Sequence, residues 1–118
     1  MKNIAGLRPD QRAFLRRYVL TYPRVESDLT VMAQKRLDKF AQEKGYDNIL
    51  SACSYSMSSV PRFALDAAHC IELRDKTWAK VYSILQDLKG EKRPLIPAVN
   101  LLAELPPLTW EEELPDEL

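Results

Sequence analysis

Apolar residues recur every three to four positions in four stretches of the chain, with polar residues between them. That period is the mark of helices with one buried face. The first stretch predicts a helix from Pro9 to about Thr21. Phe14, Leu15, Tyr18, Val19 and Tyr22 form its stripe, Arg12, Arg16 and Arg17 line the other side, and Pro23 ends it. The second predicts a helix from Glu26 to Lys44, with Val25, Leu29, Met32, Ala33, Leu37, Phe40 and Ala41 inward. Gly45 then suits the left-handed position just past a helix end. The third helix is short. Asp47 is its candidate cap, and Ile49, Leu50, Cys53 and Met57 face inward. Ser54, Ser56, Ser58 and Ser59 read as a connection, and Val60 is held out of helical space by Pro61. The fourth stretch predicts the main helix, 61–89. Its stripe is Phe63, Ala67, Cys70, Ile71, Trp78, Val81, Tyr82, Leu85 and Leu88; its outer face is Arg62, Asp66, His69, Lys76, Lys80, Ser83 and Asp87. Gly90 closes it.

Glycine and proline sit at the borders of these stretches and not inside them, which is helical punctuation. No two-residue alternation with a hairpin turn is present. The expected fold is therefore all-α: a small three- to four-helix domain with a long C-terminal helix, followed by an extended proline-rich arm. A helix over 61–89 is about 43 Å long. That is as long as a domain of this size is wide, so it bends near Asp75 or projects toward a partner. A short helix is expected at about Ala98–Glu104.

Charge divides the chain into the same two parts. Residues 1–93 carry all 17 lysines and arginines against 11 acids, a net of +6; residues 94–118 carry six acids and no base, a net of −6. Five of the eight prolines fall in that second part. The division predicts a helical domain over 1–93 and an acidic, proline-rich arm over 94–118. The whole chain of 118 residues is neutral, 46% hydrophobic and 29% charged, which fits one globular domain. No apolar run of about 18 residues predicts a membrane span. The opening residues lack the apolar core of a secretory signal, so a cytosolic setting is expected.

Little catalytic chemistry is available. Three glycines are too few for a phosphate-cradling loop, and one histidine with two cysteines is too few for an ordinary zinc site. No cofactor or metal is expected. His69 and Cys70 are adjacent on a helix and point about 100° apart, so they cannot act as a pair; His69 is expected in solvent. Cys53 and Cys70 fall on inner faces, where free cysteine packs as a small hydrophobe. Asp66, Glu72, Asp75 and Asp87 read as a solvated face. Arg74 interrupts the apolar stripe: either its stem packs while its head reaches water, or it holds a carboxylate of its own chain or a partner.

Partner binding has better candidates. The segment Leu105-Pro106-Pro107-Leu108-Thr109-Trp110 is apolar and stiff and is followed by Glu111, Glu112 and Glu113. Trp110 is the expected anchor, with Leu108 and Pro107 beside it and Glu111 and Glu112 steering toward bases. Arg12, Arg16 and Arg17 are the expected acceptors if a second copy is the partner. The rival is that Trp110 packs on its own core. The basic N-terminal stretch also raises nucleic acid, but no base-reading second helix comes after it, and the acidic arm competes for its arginines.

Three stretches carry a family resemblance: Gly45-Tyr46-Asp47-Asn48-Ile49-Leu50-Ser51-Ala52-Cys53, Leu73-Arg74-Asp75-Lys76-Thr77-Trp78 and Leu105-Pro106-Pro107-Leu108-Thr109-Trp110. They resemble small proteins of tailed bacteriophages that are encoded among tail and tail-fibre genes and described as tail assembly chaperones or tail-fibre-associated proteins. The resemblance covers about residues 36–110. It implies a helical, non-enzymatic role as a virion tail component or a tail-assembly factor, with phage tail or virion proteins as partners, in the host cytoplasm during assembly or in the virion. A shorter stretch, Leu7-Arg8-Pro9-Asp10-Gln11-Arg12-Ala13-Phe14, is similar to the opening of small terminase subunits and implies the alternative of a DNA-binding phage protein.

Overall fold

The computed structural model describes Arg8, Pro9 and residues 20–110. The helix expected over 9–21 therefore lies almost wholly outside the described residues. Residues 20–110 are all-α, and no strand occurs among the described residues. Helix α1 spans Tyr22–Gln42. Helix α2 spans Ile49–Cys53 and runs into a 3₁₀ turn at Ser54–Met57. Helix α3 spans Pro61–Lys89, the range the periodicity predicts. Helix α4 spans Ala98–Leu101 and continues as a 3₁₀ turn at Leu102–Glu104.

The start of α1 corrects one expectation. Pro23 does not end a helix; it lies in the first turn of one. A first-turn proline loses nothing there, because its missing N–H would have no helical acceptor. Tyr22 thus belongs to α1 and not to the preceding stretch. The cap of α2 is also one residue later than expected. Asn48, and not Asp47, accepts the Ser51 amide through its side chain at 2.8 Å. Asp38 of α1 accepts the Ile49 amide at 3.1 Å, which ties α2 to α1.

Both long helices end in the same hydrogen-bond pattern. After α1 the Tyr46 amide reaches the Ala41 carbonyl and the Gly45 amide reaches the Gln42 carbonyl. Gly45 holds the left-handed backbone that this closure needs, at φ 89°. After α3 the Lys92 amide reaches Asp87 and the Glu91 amide reaches Leu88. Here the left-handed residue is Glu91, at φ 57°, one position after the glycine that suits that role. Gly90 itself has φ −83°.

Helices α1 and α3 pack antiparallel. One cluster joins Val25, Leu29 and Ala33 of α1 to Val81, Ile84, Leu85 and Leu88 of α3, and is closed by Ala98, Leu101 and Leu105. The other joins Leu37, Phe40 and Ala41 of α1 to Cys70 and Leu73 of α3, and is closed by Ile49, Ala52 and Cys53. Trp78 packs against both clusters.

On α3 the buried positions include Ala67, Cys70, Leu73, Thr77, Val81, Ile84 and Leu88. Two rows at seven-residue spacing account for most of them, 70–77–84 and 67–81–88, with Leu73 buried in place of Arg74 in the second; that is the spacing of a coiled-coil seam. The stripe drawn from hydropathy is broader than this seam. It includes Phe63 (39% exposed) and Tyr82 (61% exposed), and it omits Leu73, Thr77 and Ile84. Leu50 and Met57, also expected inward, are 68% and 93% exposed.

The backbone and the seam each generate a stability prediction. Glu91→Gly should stabilise the fold by about 1 kcal/mol, since glycine occupies the left-handed region without steric cost. Thr77 is fully buried, and its hydroxyl has no hydrogen-bond partner among the described residues. Thr77→Val keeps the shape and removes the stranded hydroxyl, and should add about 1 kcal/mol. Urea unfolding with an unchanged m value is the check for each.

Candidate docking site

Beyond Glu104 the chain is extended and lies back along the bundle. Leu105 is buried in the first cluster, while Leu108 and Trp110 pack against the second. The segment Pro106–Trp110 is thus a short strap laid over α1 and α3. Its seat is built from residues one helical turn apart. Arg36 and Phe40 stand four residues apart on α1 and so face the same way, and Lys44 stands in the turn just past the end of α1. His69 faces them from α3.

Four residues hold the strap. Arg36 Nη2 donates to the Pro106 carbonyl at 2.8 Å. His69 Nε2 lies 2.6 Å from the Thr109 carbonyl, and since a carbonyl only accepts, this nitrogen carries a proton. Trp110 Nε1 donates to the Phe40 carbonyl at 3.2 Å. The Trp110 ring stacks on Phe40 with centroids 4.3 Å apart and planes 13° from parallel. Lys44 Nζ sits 4.7 Å from the centre of the indole, within cation–π range. Burial pushes the pKa of Arg36 down.

Behind the strap, Lys44 Nζ is 3.3 Å from Asp66 Oδ1, and the Tyr46 hydroxyl donates to Asp66 Oδ2 at 2.9 Å. Burial, together with that carboxylate, raises the Tyr46 phenol well above its ordinary range. Asp66 therefore joins α3 to the end of α1 and is largely buried, which corrects the solvated face expected for it. His69 is corrected likewise: its ring lies 6.2 Å from Phe40 and 5.8 Å from Trp110. Helical periodicity places both outward, because a polar residue off the apolar stripe belongs to water until something covers it. The strap and Lys44 are that cover, and neither is visible in the periodicity of α3.

The remaining candidates divide. Trp110 and Leu108 lie on their own chain's core, as the rival reading has it, and Pro107 is exposed. Arg74 is 3.9 Å from the carboxylate of its neighbour Asp75 and keeps its head partly in water. Arg12, Arg16, Arg17, Glu111 and Glu112 lie outside the described residues. Cys53 and Cys70 are free and buried, and burial pushes the Cys70 thiol up to about 12. Among the described residues no three His, Cys, Asp or Glu side chains gather as metal ligands, and no described helix is long and apolar enough to cross a membrane.

A second surface lies at the end of the bundle where α2 turns into α3. Tyr55 meets Phe63 edge-on at 5.3 Å and tilts against Tyr46 at 5.6 Å. Met57 and Val60 are exposed on the same connection, and Leu50 is exposed on α2. Sequence reasoning misses this surface because it assigns Leu50, Met57 and Phe63 to the core.

Comparison of the chain with family models, curated proteins and solved structures returns no match.

The strap makes a direct prediction. Trp110→Ala removes the stack, the indole hydrogen bond and the cation–π contact. It should lower the stability of the monomer by about 2 kcal/mol, a fall of roughly 10 °C in melting temperature. Thermal unfolding followed by circular dichroism reads this; an unchanged midpoint would show that the strap carries no stability.

Proposed function

We propose that this chain is a non-enzymatic interaction protein of a tailed phage, acting as a tail or virion structural component or as a tail-assembly factor. The observation that carries the reading is where the three phage-like stretches meet. Ile49, Ala52 and Cys53 come from the first, Leu73 and Trp78 from the second, Leu108 and Trp110 from the third, and all pack in or against one cluster. Stretches well separated along the chain thus form one packing unit. Such a pattern is what a shared helical core would impose, and it has no catalytic content. The polar groups nearby support the same reading: Asp66 is tied to Lys44 and Tyr46, and His69 to the strap.

The exposed apolar end at Leu50, Tyr55, Met57, Val60 and Phe63 supplies a surface of the kind that interaction proteins present. Its partners on this reading are other phage tail or virion proteins.

Mass spectrometry of virions purified from a phage encoding this chain separates the two roles. A fixed number of copies per particle identifies a virion component. Absence from the particle, with tails lost on deletion of the gene, identifies an assembly factor. Normal tails after deletion, with the chain absent from virions, would overturn the proposal. The DNA-binding alternative predicts retention on heparin and a gel shift at about 50 mM salt that weakens steeply as salt rises.

A further inference from the structure

The strap is held in a way that makes it separable from the core it crosses. Leu101 and Leu105, just before it, are buried in the first cluster. Pro106–Trp110 contributes only Leu108 and Trp110, and only to the second cluster. Pro106 and Pro107 have no N–H, so the hydrogen bond that lifting the strap breaks at its root is the one from Arg36 to the Pro106 carbonyl. The release point is therefore built into the sequence at the Pro-Pro joint.

The seat is demanding about shape and undemanding about most side chains. Arg36 and His69 hold strap carbonyls, and Trp110 donates to a carbonyl of α1. Any extended segment offers such carbonyls. Leu108 and Trp110 alone are read as side chains. The seat is also not saturated by its own strap, because Arg36 Nη1 is buried with no hydrogen-bond partner among the described residues.

We propose that the seat of Arg36, Phe40, Lys44 and His69 is interchangeable, and that its occupant in trans is the Pro106–Trp110 segment of a second copy of this chain. A second copy carries the one ligand whose fit is on view, and reciprocal exchange refills both seats with the same contacts. Exchange of an identical element between copies is a low-cost route to a dimer, its main expense being lost translational freedom. The Pro-Pro joint keeps the strap extended at about 3.1 Å per residue, so its five residues reach roughly 15 Å from Leu105. The inference goes beyond the phage reading and does not depend on it.

The test uses two full-length variants. Trp110→Ala has a seat and no anchor. Phe40→Leu has an anchor and, keeping an apolar side chain in the core, a seat without its ring. In sedimentation velocity each alone should be a monomer, and an equimolar mixture should give a 1:1 complex. In parallel, a fluorescein-labelled peptide of residues 104–110 should bind full-length Trp110→Ala about tenfold more tightly than wild type, whose own strap competes for the seat. A mixture that stays monomeric while both variants are folded would overturn the proposal, even if the peptide binds. So would variants that dimerise alone, since association would then bypass the seat. If Phe40→Leu fails to fold, the peptide decides: equal affinity for wild type and Trp110→Ala, or none for either, ends the idea.

Discussion

Two antiparallel helices cannot enclose a core between them, and that constraint organises this molecule. The seam of α1 and α3 buries one stripe of each helix and leaves two open flanks. Along α1 the seam runs from Val25 to Ala41, and along α3 from Leu88 back to Ala67. Each half of that line recruits a different closure. At the Val25–Leu88 half, Ala98, Leu101 and Leu105 fold over from beyond the turn at Gly90. At the Phe40–Cys70 half, Ile49, Ala52 and Cys53 of α2 do the same, with Leu108 and Trp110 completing it. The short elements exist because the long pair needs covering. Isolated helices of four or five residues have no stability of their own in water.

The seam is legible in the sequence because it is repetitive. A period of three to four residues over 61–89 suffices to place α3 to the residue, and the same pattern places most of α1. The errors arise where periodicity says nothing. Thr77 falls outside a stripe drawn from hydropathy because its hydroxyl marks it as polar, yet it occupies the 70–77–84 row and is fully buried. Phe63, Leu50 and Met57 fall inside such a stripe because they are apolar, yet among the described residues they stay 39%, 68% and 93% exposed. Hydropathy assigns a side chain a preference, and only tertiary structure decides whether the preference is met.

The site is legible in part for the same reason. Trp110 stands out from its setting among prolines and acids, and its two rival destinations can be stated from the sequence. Choosing between them requires knowing that Phe40, on a helix 70 residues earlier, presents a ring face and a last-turn carbonyl at one place. His69 and Asp66 fail for the complementary reason: each is polar, each lies off the apolar stripe, and each is covered by a segment distant in sequence. Local patterns cannot report non-local cover. Glycine placement shows how fine the limit is. Gly45 sits at the left-handed position and Gly90 one residue before it, with Glu91 taking the strained role.

The charge division looks different once the strap is in view. Of the acids after residue 93, Glu104 is the one placed among the described residues, and Arg93 meets it through both guanidinium nitrogens, one contact at 2.8 Å. That pair lies at the surface, where such contacts contribute little to stability. It spans the turn between α3 and α4, so its role is to set the direction in which the chain returns. Farther on, the return is held by carbonyl contacts and by Leu105, Leu108 and Trp110. The bases that line the path act chiefly as hydrogen-bond donors and as a cation over an indole. Arg36 holds a carbonyl, and Lys44 divides its charge between Asp66 and the Trp110 ring. Long-range attraction between a +6 body and a −6 end can speed the approach of the two, but it is screened within about 8 Å at physiological salt. The final placement is then decided by contacts that salt screens weakly: a stacked ring, two seated leucines and three hydrogen bonds.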